Sequence, residues 1–401
     1  MYKIEKLDHK GRGICFVDGK ITFVEEALPN EIVDIKLLLQ KKKFNEAKVK
    51  SIIEQNENRI IPKCPYYHDC GGCDLMHLNY PKQLEYKINK VTEILERYGN
   101  IKKEIAEIIP SSELYYRNKA TFQVKESIGF YKKKSYDIIP VEKCLVVDEK
   151  INHILNQIKF LDLSGIYQIV IRTSKYTDES MIVFKTNSDL KIDINKLNIT
   201  SIIMYKNNEY ITLKGKNYIL EKLNDLNFMI SPDSFFQVNS YGALKLYERV
   251  LKYANLKENE KVLDLFCGTG TIGLFLSRYC NHVTGVEINK YAVEDAKKNA
   301  KLNNINNCDF ICDDAMNVHF NDIDLVAVDP PRSGLDKVTI DYLLNLETKK
   351  IIYVSCDPMT LARDLKLLGQ KYEVKNISLV DMFSNTYHVE SVVLLEKSVL
   401  K

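Results

Sequence analysis

The chain has 401 residues, of which 45% are hydrophobic and 28% charged, as is ordinary for a globular protein of about two or three domains. Its formal net charge is only +3, which excludes an argument for nucleic-acid binding from total charge. No segment reaches the roughly 20 apolar residues of a membrane helix, and the first residues lack the apolar core of a secretory signal. We therefore expect a cytoplasmic protein that makes no membrane contact and keeps its ten cysteines reduced.

Residues 1–60 predict a small antiparallel β-barrel. Turn signals flank strand-like runs at 14–17 and 21–24, and a further alternating run covers 32–37. Positive charge is concentrated in two segments, 36–50 and 117–134, of which the first holds six lysines. Each is either a solvated lysine-rich face or a surface that binds phosphates.

Residues 61–230 predict a mixed α+β domain. Apolar residues recur at helical spacing between positions 84 and 95, whereas the runs 168–172 and 181–184 are strand-like.

This central region begins with a cysteine cluster. Cys64, Cys70 and Cys73 form a C-x5-C-x2-C pattern, and Cys144 follows far downstream. Four thiolates can hold either a tetrahedral zinc ion or a cubane iron–sulfur cluster. The pair Gly71-Gly72 allows the chain to bend around a bulky inorganic core, which favours a [4Fe-4S] cluster. We expect a structural or RNA-organising role for it, with a redox role as the alternative.

From residue 231 onward, strands and helices alternate. Helical segments such as 290–302 separate strand-like runs, which cover residues 261–266, 283–287, 309–312, 324–329 and 351–355. This order predicts a Rossmann-like α/β domain over 231–401, with an open, mostly parallel sheet that binds ligands at the carboxyl ends of its strands.

Acidic residues at the strand ends indicate which ligand binds there. The first strand leads into the glycine pattern G-x-G-x-x-G at 268–273, which dinucleotide folds share. Asp264 precedes the glycines, Glu287 closes the second strand, and Asp313-Asp314 follow the third. A carboxylate at the end of the second strand can accept hydrogen bonds from both ribose hydroxyls. Together these acids favour S-adenosylmethionine over a dinucleotide.

The fourth strand ends in Asp329-Pro330-Pro331-Arg332. Enzymes that methylate exocyclic amines share Asp-Pro-Pro, but they usually place an aromatic residue after the prolines, and N-methylation is therefore the alternative chemistry. Enzymes that form 5-methylcytosine commonly place a cysteine there. Arg332 occupies this position, so neither pattern is complete.

A single cysteine, Cys356, ends the apolar run of the fifth strand and is followed at once by Asp357-Pro358. Carbon 5 of a pyrimidine attacks a methyl group only after a nucleophile has added to carbon 6. A thiol beside a methyl-donor site therefore predicts methylation of a pyrimidine at carbon 5. The alternative is a small buried cysteine that packs at the end of a core strand.

Taken in order, many segments resemble the bacterial RNA uracil-C5 methyltransferases, most closely the 23S ribosomal RNA branch that carries an iron–sulfur cluster. The resemblance covers nearly the whole chain, and its N-terminal part is similar to a TRAM domain. The matching segments lie at 11–14, 18–20, 23–24, 27–29, 64–73, 116–119, 128–131, 235–239, 329–336, 355–365 and 386–390.

The resemblance implies a role for particular residues. Cys356 would be the nucleophile and Glu390 the base that removes the C5 proton. The ligands of the cluster would be Cys64, Cys70, Cys73 and Cys144. Contacts with S-adenosylmethionine are implied for Gln237, Phe266, Glu287 and Asp329, with Thr271 and Asp314 as further candidates. The chain departs from the family at Asp357, where many relatives have asparagine, and at residues 382–385.

We therefore expect an enzyme that methylates carbon 5 of a uridine in RNA, with 23S rRNA as its substrate. A tRNA substrate is the first alternative, and a non-catalytic RNA-binding assembly factor is the second. We expect a monomer that needs no obligate protein partner.

Overall fold

The N-terminal part of the computed structural model, which describes residues 1–318 and 320–398, is a six-stranded sheet in the order β1-β5-β6-β4-β3-β2. Its first strand pairs with β5 and its second with β3, so residues 2–7 join the two edges and close the sheet on itself. Small apolar side chains, among them Val24 and Ala47, fill the interior. The strands are β1 (Tyr2–Lys3), β2 (Lys6–Leu7), β3 (Gly13–Val17), β4 (Lys20–Glu25), β5 (Ile32–Gln40) and β6 (Asn45–Glu54).

The central part is built on a seven-stranded sheet in the order β10-β9-β8-β11-β12-β13-β14. One face of this sheet packs against a helix whose residues Ile151, Leu155 and Ile158 are fully buried. The elements of this part are α1 (Tyr80–Ile94), β7 (Glu107–Ile109), β8 (Lys119–Val124), β9 (Ile128–Tyr131), β10 (Ile138–Pro140), α2 (Glu149–Ile158), β11 (Ile166–Thr173), β12 (Ser180–Thr186), β13 (Ser201–Lys206), β14 (Glu209–Lys214), β15 (Ile219–Leu223) and β16 (Leu226–Ile230).

The C-terminal part is an eight-stranded sheet in the order β19-β18-β17-β20-β21-β23-β22-β7. Strands β17 to β21 run parallel, and β23 inserts antiparallel between β21 and β22. The elements are α3 (Ser240–Ala254), β17 (Lys261–Leu265), α4 (Thr271–Leu276), β18 (His282–Glu287), α5 (Lys290–Leu302), β19 (Cys308–Cys312), β20 (Leu325–Val328), α6 (Lys337–Asn345), β21 (Lys350–Ser355), α7 (Pro358–Leu368), β22 (Tyr372–Val380) and β23 (Glu390–Lys397). The predicted Rossmann-like architecture is confirmed.

Apolar side chains cover both faces of this sheet. Helices α3, α4 and α5 pack on one face, for example through Leu246 and Phe275. Helices α1, α6 and α7 pack on the other, for example through Ile94, Leu343 and Leu361. Strands buried on both faces explain the near-continuous apolar runs of the sequence.

Two elements from the predicted central segment belong structurally to the C-terminal sheet. Strand β7 pairs in parallel with β22 through Ser378, Leu379 and Val380. Helix α1 packs on the same sheet through Val91 and Ile94. The boundaries at residues 60 and 230 stay predictions. In the described ranges 1–318 and 320–398, none of the helices combines the length and the apolar character that a membrane span requires.

Candidate active site

The carboxyl ends of β17, β18, β19 and β20 form one edge of the sheet, and most of the predicted donor contacts lie along it. The chain leaves β17 through Phe266, Gly268 and Gly270, all with positive φ (62°, 55° and 81°). Glu287 ends β18 and binds this turn, because its Oε2 accepts a hydrogen bond from Gly268 N at 3.1 Å. A Cβ at Gly268 would have open space around it. The turn therefore leaves room beside Glu287 for a ligand.

Asp264 lies beneath this turn and is fully buried. Its Oδ2 accepts a hydrogen bond from Gly273 N at 2.8 Å, whereas its Oδ1 is buried without a hydrogen-bond partner. Burial raises the pKa of this carboxyl to about 8. A buried oxygen without a hydrogen-bond partner, beside a glycine-rich turn, is suited to a polar ligand. The residues of this turn, together with Asp264 and Glu287, therefore fit S-adenosylmethionine.

The other predicted donor contacts lie around this edge. Asp329 directly follows β20 and is half-buried, and burial raises its pKa to about 7. Thr271 begins α4, and its side chain lowers the pKa of the buried Tyr247, whose pKa burial raises. Asp314 follows β19 and accepts a hydrogen bond from Met316 N at 3.0 Å. Gln237 precedes α3 and is buried, and its backbone oxygen accepts a hydrogen bond from Asn118 Nδ2 at 3.2 Å.

Cys356 and Glu390 lie at the same end of the strand pair β21–β23. Ser355 is the register partner of Ser391 in this antiparallel pair. Cys356 is the next residue along one strand, and Glu390 is the preceding residue of the other, so the same register brings them opposite each other. Glu390 is 5% exposed, and Cys356 is half-buried.

The electrostatic surroundings of these two residues are coupled. Burial, followed by the charges of Glu390 and Asp329, raises the pKa of the Cys356 thiol to about 11. Burial and the charge of Asp329 raise the pKa of Glu390 to about 8. The nearby positive charge of Arg332 lowers both pKa values. Arg332 therefore contributes to the electrostatics of the site, although the sequence alone shows it only as a residue in the place of an aromatic side chain.

Local structure fixes the direction in which Cys356 leaves its strand. Asp357 is the N-cap of α7, because its Oδ1 accepts hydrogen bonds from Met359 N at 2.8 Å and Thr360 N at 3.2 Å. Asparagine and aspartate are equivalent in this capping role, so the departure at Asp357 leaves the turn intact. The thiol precedes the positive end of a helix, which opposes but does not cancel the rise in its pKa from burial and the surrounding carboxylates.

The four predicted cluster cysteines line a single cavity of about 820 Å³. Burial raises the pKa of Cys73, and the neighbouring Cys144, Cys70 and Cys64 raise it further. No group of three or more His, Cys, Asp or Glu side chains in residues 1–318 and 320–398 is arranged to hold a metal ion. The four thiols thus line one cavity, but the described side chains form no metal site there, so the structure supports neither zinc nor a cluster.

Acidic residues partly neutralise the second of the two positively charged segments, residues 117–134. Lys134 forms ion pairs with Glu25 at 2.9 Å and Glu46 at 2.7 Å, and Lys133 forms one with Glu26 at 3.3 Å. In the first segment, by contrast, the side chains at 41–43 are exposed. Free positive charge is therefore found at the tip of the β5–β6 hairpin.

Comparison with known proteins identifies the family. The family described as tRNA (Uracil-5-)-methyltransferase matches residues 79–398. An uncharacterized RNA methyltransferase of Staphylococcus aureus (strain MSSA476) is 39% identical, over 97% of this chain and 96% of its own. One from Staphylococcus epidermidis (strain ATCC 12228 / FDA PCI 1200) is 37% identical, over 98% and 96%.

A solved structure supports the same assignment over the full length. The Pyrococcus abyssi tRNA (uracil-54, C5)-methyltransferase in complex with S-adenosyl-L-homocysteine has a TM-score of 0.80 and 31% identity. The match covers 98% of this chain and 100% of that one. The chain therefore belongs to the family of S-adenosylmethionine-dependent RNA uracil-5 methyltransferases.

Proposed function

We propose that the protein methylates carbon 5 of a uridine in 23S rRNA through a transient bond between Cys356 Sγ and carbon 6 of the base. One observation carries this proposal. The register of β21 and β23 sets a thiol opposite a carboxylate, next to Asp329 at the donor edge of the sheet. A thiol and a base on the same side of a donor site are the two groups that methylation at carbon 5 requires.

Each step assigns a task to one side chain. The target uridine is flipped out of its stack, because carbon 6 is out of reach inside folded RNA. The Cys356 thiolate adds to carbon 6, and the electron pair of the C5–C6 double bond moves into the ring as an enolate. Carbon 5 then attacks the methyl group of the donor, the bond between that methyl group and sulfur breaks with its electron pair left on sulfur, and S-adenosylhomocysteine is the leaving group. Glu390 removes the C5 proton, the double bond re-forms and the thiolate leaves carbon 6.

The residues that bind the methyl donor form the edge described above. Glu287 would accept hydrogen bonds from the ribose hydroxyls, and Phe266 and Asp329 would enclose the donor, together with Gln237, Thr271 and Asp314. S-adenosylmethionine supplies an electrophilic methyl group on a positively charged sulfur when it is bound. Asp329 would orient that positive charge toward Cys356 and Glu390.

We also propose that Cys64, Cys70, Cys73 and Cys144 hold a [4Fe-4S] cluster with a structural role. A cubane bonds each thiolate to a different iron, so four cysteines around one cavity suit it better than they suit a single zinc ion. Anaerobic purification should give brown protein with about four irons per chain. Replacing Cys73 with serine should remove the iron, whereas a stoichiometric zinc content in the unchanged protein would disprove the cluster.

A tRNA substrate is the second candidate, because the Pyrococcus abyssi relative acts on tRNA. The cysteine cluster favours rRNA, since the resemblance to the cluster-bearing branch is a resemblance to rRNA enzymes. Purified protein, labelled methyl donor and unmodified transcripts of 23S rRNA domains and of tRNAs distinguish the two. We expect label in 5-methyluridine of a 23S transcript. Label in tRNA alone would replace the first candidate by the second, and binding without label would indicate an RNA-binding factor.

The proposed enzyme is a cytoplasmic monomer. Size-exclusion chromatography with light scattering should give a mass near 46.4 kDa, and twice that mass would contradict the proposal.

A further inference from the structure

The segment 381–389 connects β22 to β23 and leads directly into Glu390. One face of helix α1 holds this segment. The face comprises Tyr80, Gln83, Lys87 and Lys90, which are spaced three or four residues apart and therefore lie on one side of the helix. None of these four residues contributes to the chemistry described above.

A buried ion pair lies at the centre of this contact. Lys87 Nζ binds Asp381 Oδ1, and both side chains are 0% exposed. The same ammonium group donates to Phe383 O at 3.0 Å. Tyr80 donates its hydroxyl hydrogen to Asp381 Oδ2 at 2.7 Å, and Ser384 Oγ donates to that oxygen at 3.1 Å. The charges are thus paired and hydrogen-bonded to the segment from several directions.

The rest of the segment is fixed in the same way. Asn385 has a φ of 65°, and its backbone N donates to Gln83 Oε1 at 2.9 Å. Its carbonyl oxygen accepts from Asp74 N at 2.8 Å and Leu75 N at 2.9 Å. Lys90 Nζ donates to Tyr387 O, three residues before Glu390.

A buried ion pair is an inefficient way to stabilise a fold, because desolvation cancels much of its Coulomb attraction. It does select one geometry, since any displacement of the segment leaves an ammonium or a carboxylate unpaired. Cys356 does not share this dependence, because it is held by β21 and by the cap of α7. Glu390 shares the support of β21 through β23 and also pairs with Val380 of β22, so the anchored segment that leads into it is the support that Cys356 lacks.

We propose that Lys87 and Asp381 are positioning residues that align Glu390 with the C5 proton and leave the attack of Cys356 unaffected. The inference rests on the proposed function and deepens it. It separates the reaction into a first half, addition and methyl transfer, which does not need the α1 face, and a second half, proton removal and release, which does.

The test compares Lys87→Met with Lys82→Met. Lys82 lies on the same helix, but its side chain is exposed and forms an ion pair with Glu85 at 2.7 Å. The first half is measured as the rate of covalent adduct formation with 5-fluorouridine RNA and the methyl donor. Fluorine occupies the place of the departing proton there, so the adduct cannot break down. The whole reaction is measured as steady-state methylation of uridine RNA.

We expect Lys87→Met to form the fluorinated adduct at nearly the unchanged rate, while turnover falls about 100-fold, as for a catalytic group displaced by about 1 Å. An adduct with ordinary uridine RNA should then accumulate. Lys82→Met should leave both rates unchanged. A parallel loss of adduct formation and turnover in Lys87→Met, or no loss in either, would overturn the inference.

A double variant separates positioning from stability. Lys87→Met alone leaves Asp381 buried and unpaired, whereas Lys87→Met with Asp381→Asn removes both charges. The melting temperature of the double variant should return toward that of the unchanged protein, while release stays slow. Recovery of turnover together with melting temperature would show that the pair only stabilises the fold. If the unchanged protein itself forms no fluorinated adduct, the proposed function fails first, and the two failures are thus distinguishable.

Discussion

Cys356 and Glu390 meet across the end of an antiparallel strand pair, and the carboxylate charge of Glu390 raises the pKa of the Cys356 thiol. The proposed nucleophile and the proposed base thus lie at the ends of two strands that are adjacent in the sheet and separated in the chain by α7 and β22. The proximity is unfavourable for the nucleophile, because the negative charge of Glu390 disfavours the thiolate form of Cys356. Arg332 offsets part of this effect.

The first prediction concerns covalent intermediates. Cys356→Ala should abolish methyl transfer and every RNA adduct, because the substitution removes the thiol that adds to carbon 6 in the proposed mechanism. Glu390→Gln should retain adduct formation and lose release, so that protein–RNA complexes persist on denaturing gels. Cys280→Ala is the matched control, because Cys280 precedes β18 at the opposite edge of the sheet. An active Cys356→Ala variant would refute the mechanism.

The second prediction concerns the pH dependence of adduct formation. The pKa of Cys356 is raised to about 11 and that of Glu390 to about 8, so the reactive thiolate is scarce at neutral pH. The rate of adduct formation with 5-fluorouridine RNA should therefore increase from pH 7 to pH 9. In Arg332→Gln the increase should move to higher pH, since a charge that lowers the pKa of Cys356 is lost. An unchanged profile in that variant would contradict this role of Arg332.

The third prediction concerns stability. The folded protein raises the pKa of Glu390 from its ordinary value of 4.5 to about 8. The folded state therefore binds this proton more tightly than the unfolded state, and the protein should lose stability as pH increases from about 5 to about 8. Glu390→Gln should melt about 3–6 °C above the unchanged protein at pH 9 and close to it at pH 5. Equal melting temperatures at pH 9 would show that Glu390 is solvated.

The fourth prediction compares alanine substitutions at two glycines, Gly268 and Gly270, of the turn that follows β17. A Cβ at Gly270 would lie 2.8 Å from Phe310 Cζ, whereas a Cβ at Gly268 would meet no atom within 4 Å. Both glycines have positive φ, so alanine strains the backbone at either position, by roughly 1–2 kcal/mol. Gly270→Ala should lower the melting temperature more, and Gly268→Ala should mainly weaken binding of S-adenosylmethionine in calorimetry. The reverse ranking would place the donor elsewhere.

The fifth prediction concerns RNA affinity. The exposed lysines Lys41, Lys42 and Lys43 lie at the tip of the β5–β6 hairpin. Changing all three to glutamine should weaken RNA binding and reduce the slope of log affinity against log salt by about 2–3, if each contacts one phosphate. Glutamine at the ion-paired Lys134 should change the slope less. An equal effect of both changes would exclude the hairpin as the principal phosphate contact.

Long periodic elements could be predicted from the sequence. The predicted helix over 290–302 coincides with α5, and Glu287 ends its strand as predicted. Such elements are specified locally, by apolar spacing and by caps. The pairing of β7 with β22 could not be predicted, because a strand of three residues carries no periodic signal and its partner is distant in the chain.

The burial and the contacts of the charged residues near the site also could not be predicted from the sequence. Lys87 and Lys90 are lysines on an amphipathic helix and would ordinarily be assigned to solvent, yet both are buried. Only folding brings Asp381 and the carbonyl oxygens of segment 381–389 into contact with these two lysines. The influence of Arg332 on Cys356 was equally hidden, since it depends on the parallel neighbours β20 and β21.

The addition of β7 to the edge of the C-terminal sheet has a practical consequence for the design of hybrid enzymes. A recombinant fragment starting at Ser231 would lack both the outermost strand and the helix that supports the loop before Glu390. Its β22 would then present unpaired backbone groups to other molecules and promote aggregation. A catalytic domain moved into another protein must therefore include residues 79–109 as well as the C-terminal half. These residues are distant in the chain, but β7 completes the edge of the C-terminal sheet and α1 packs on it.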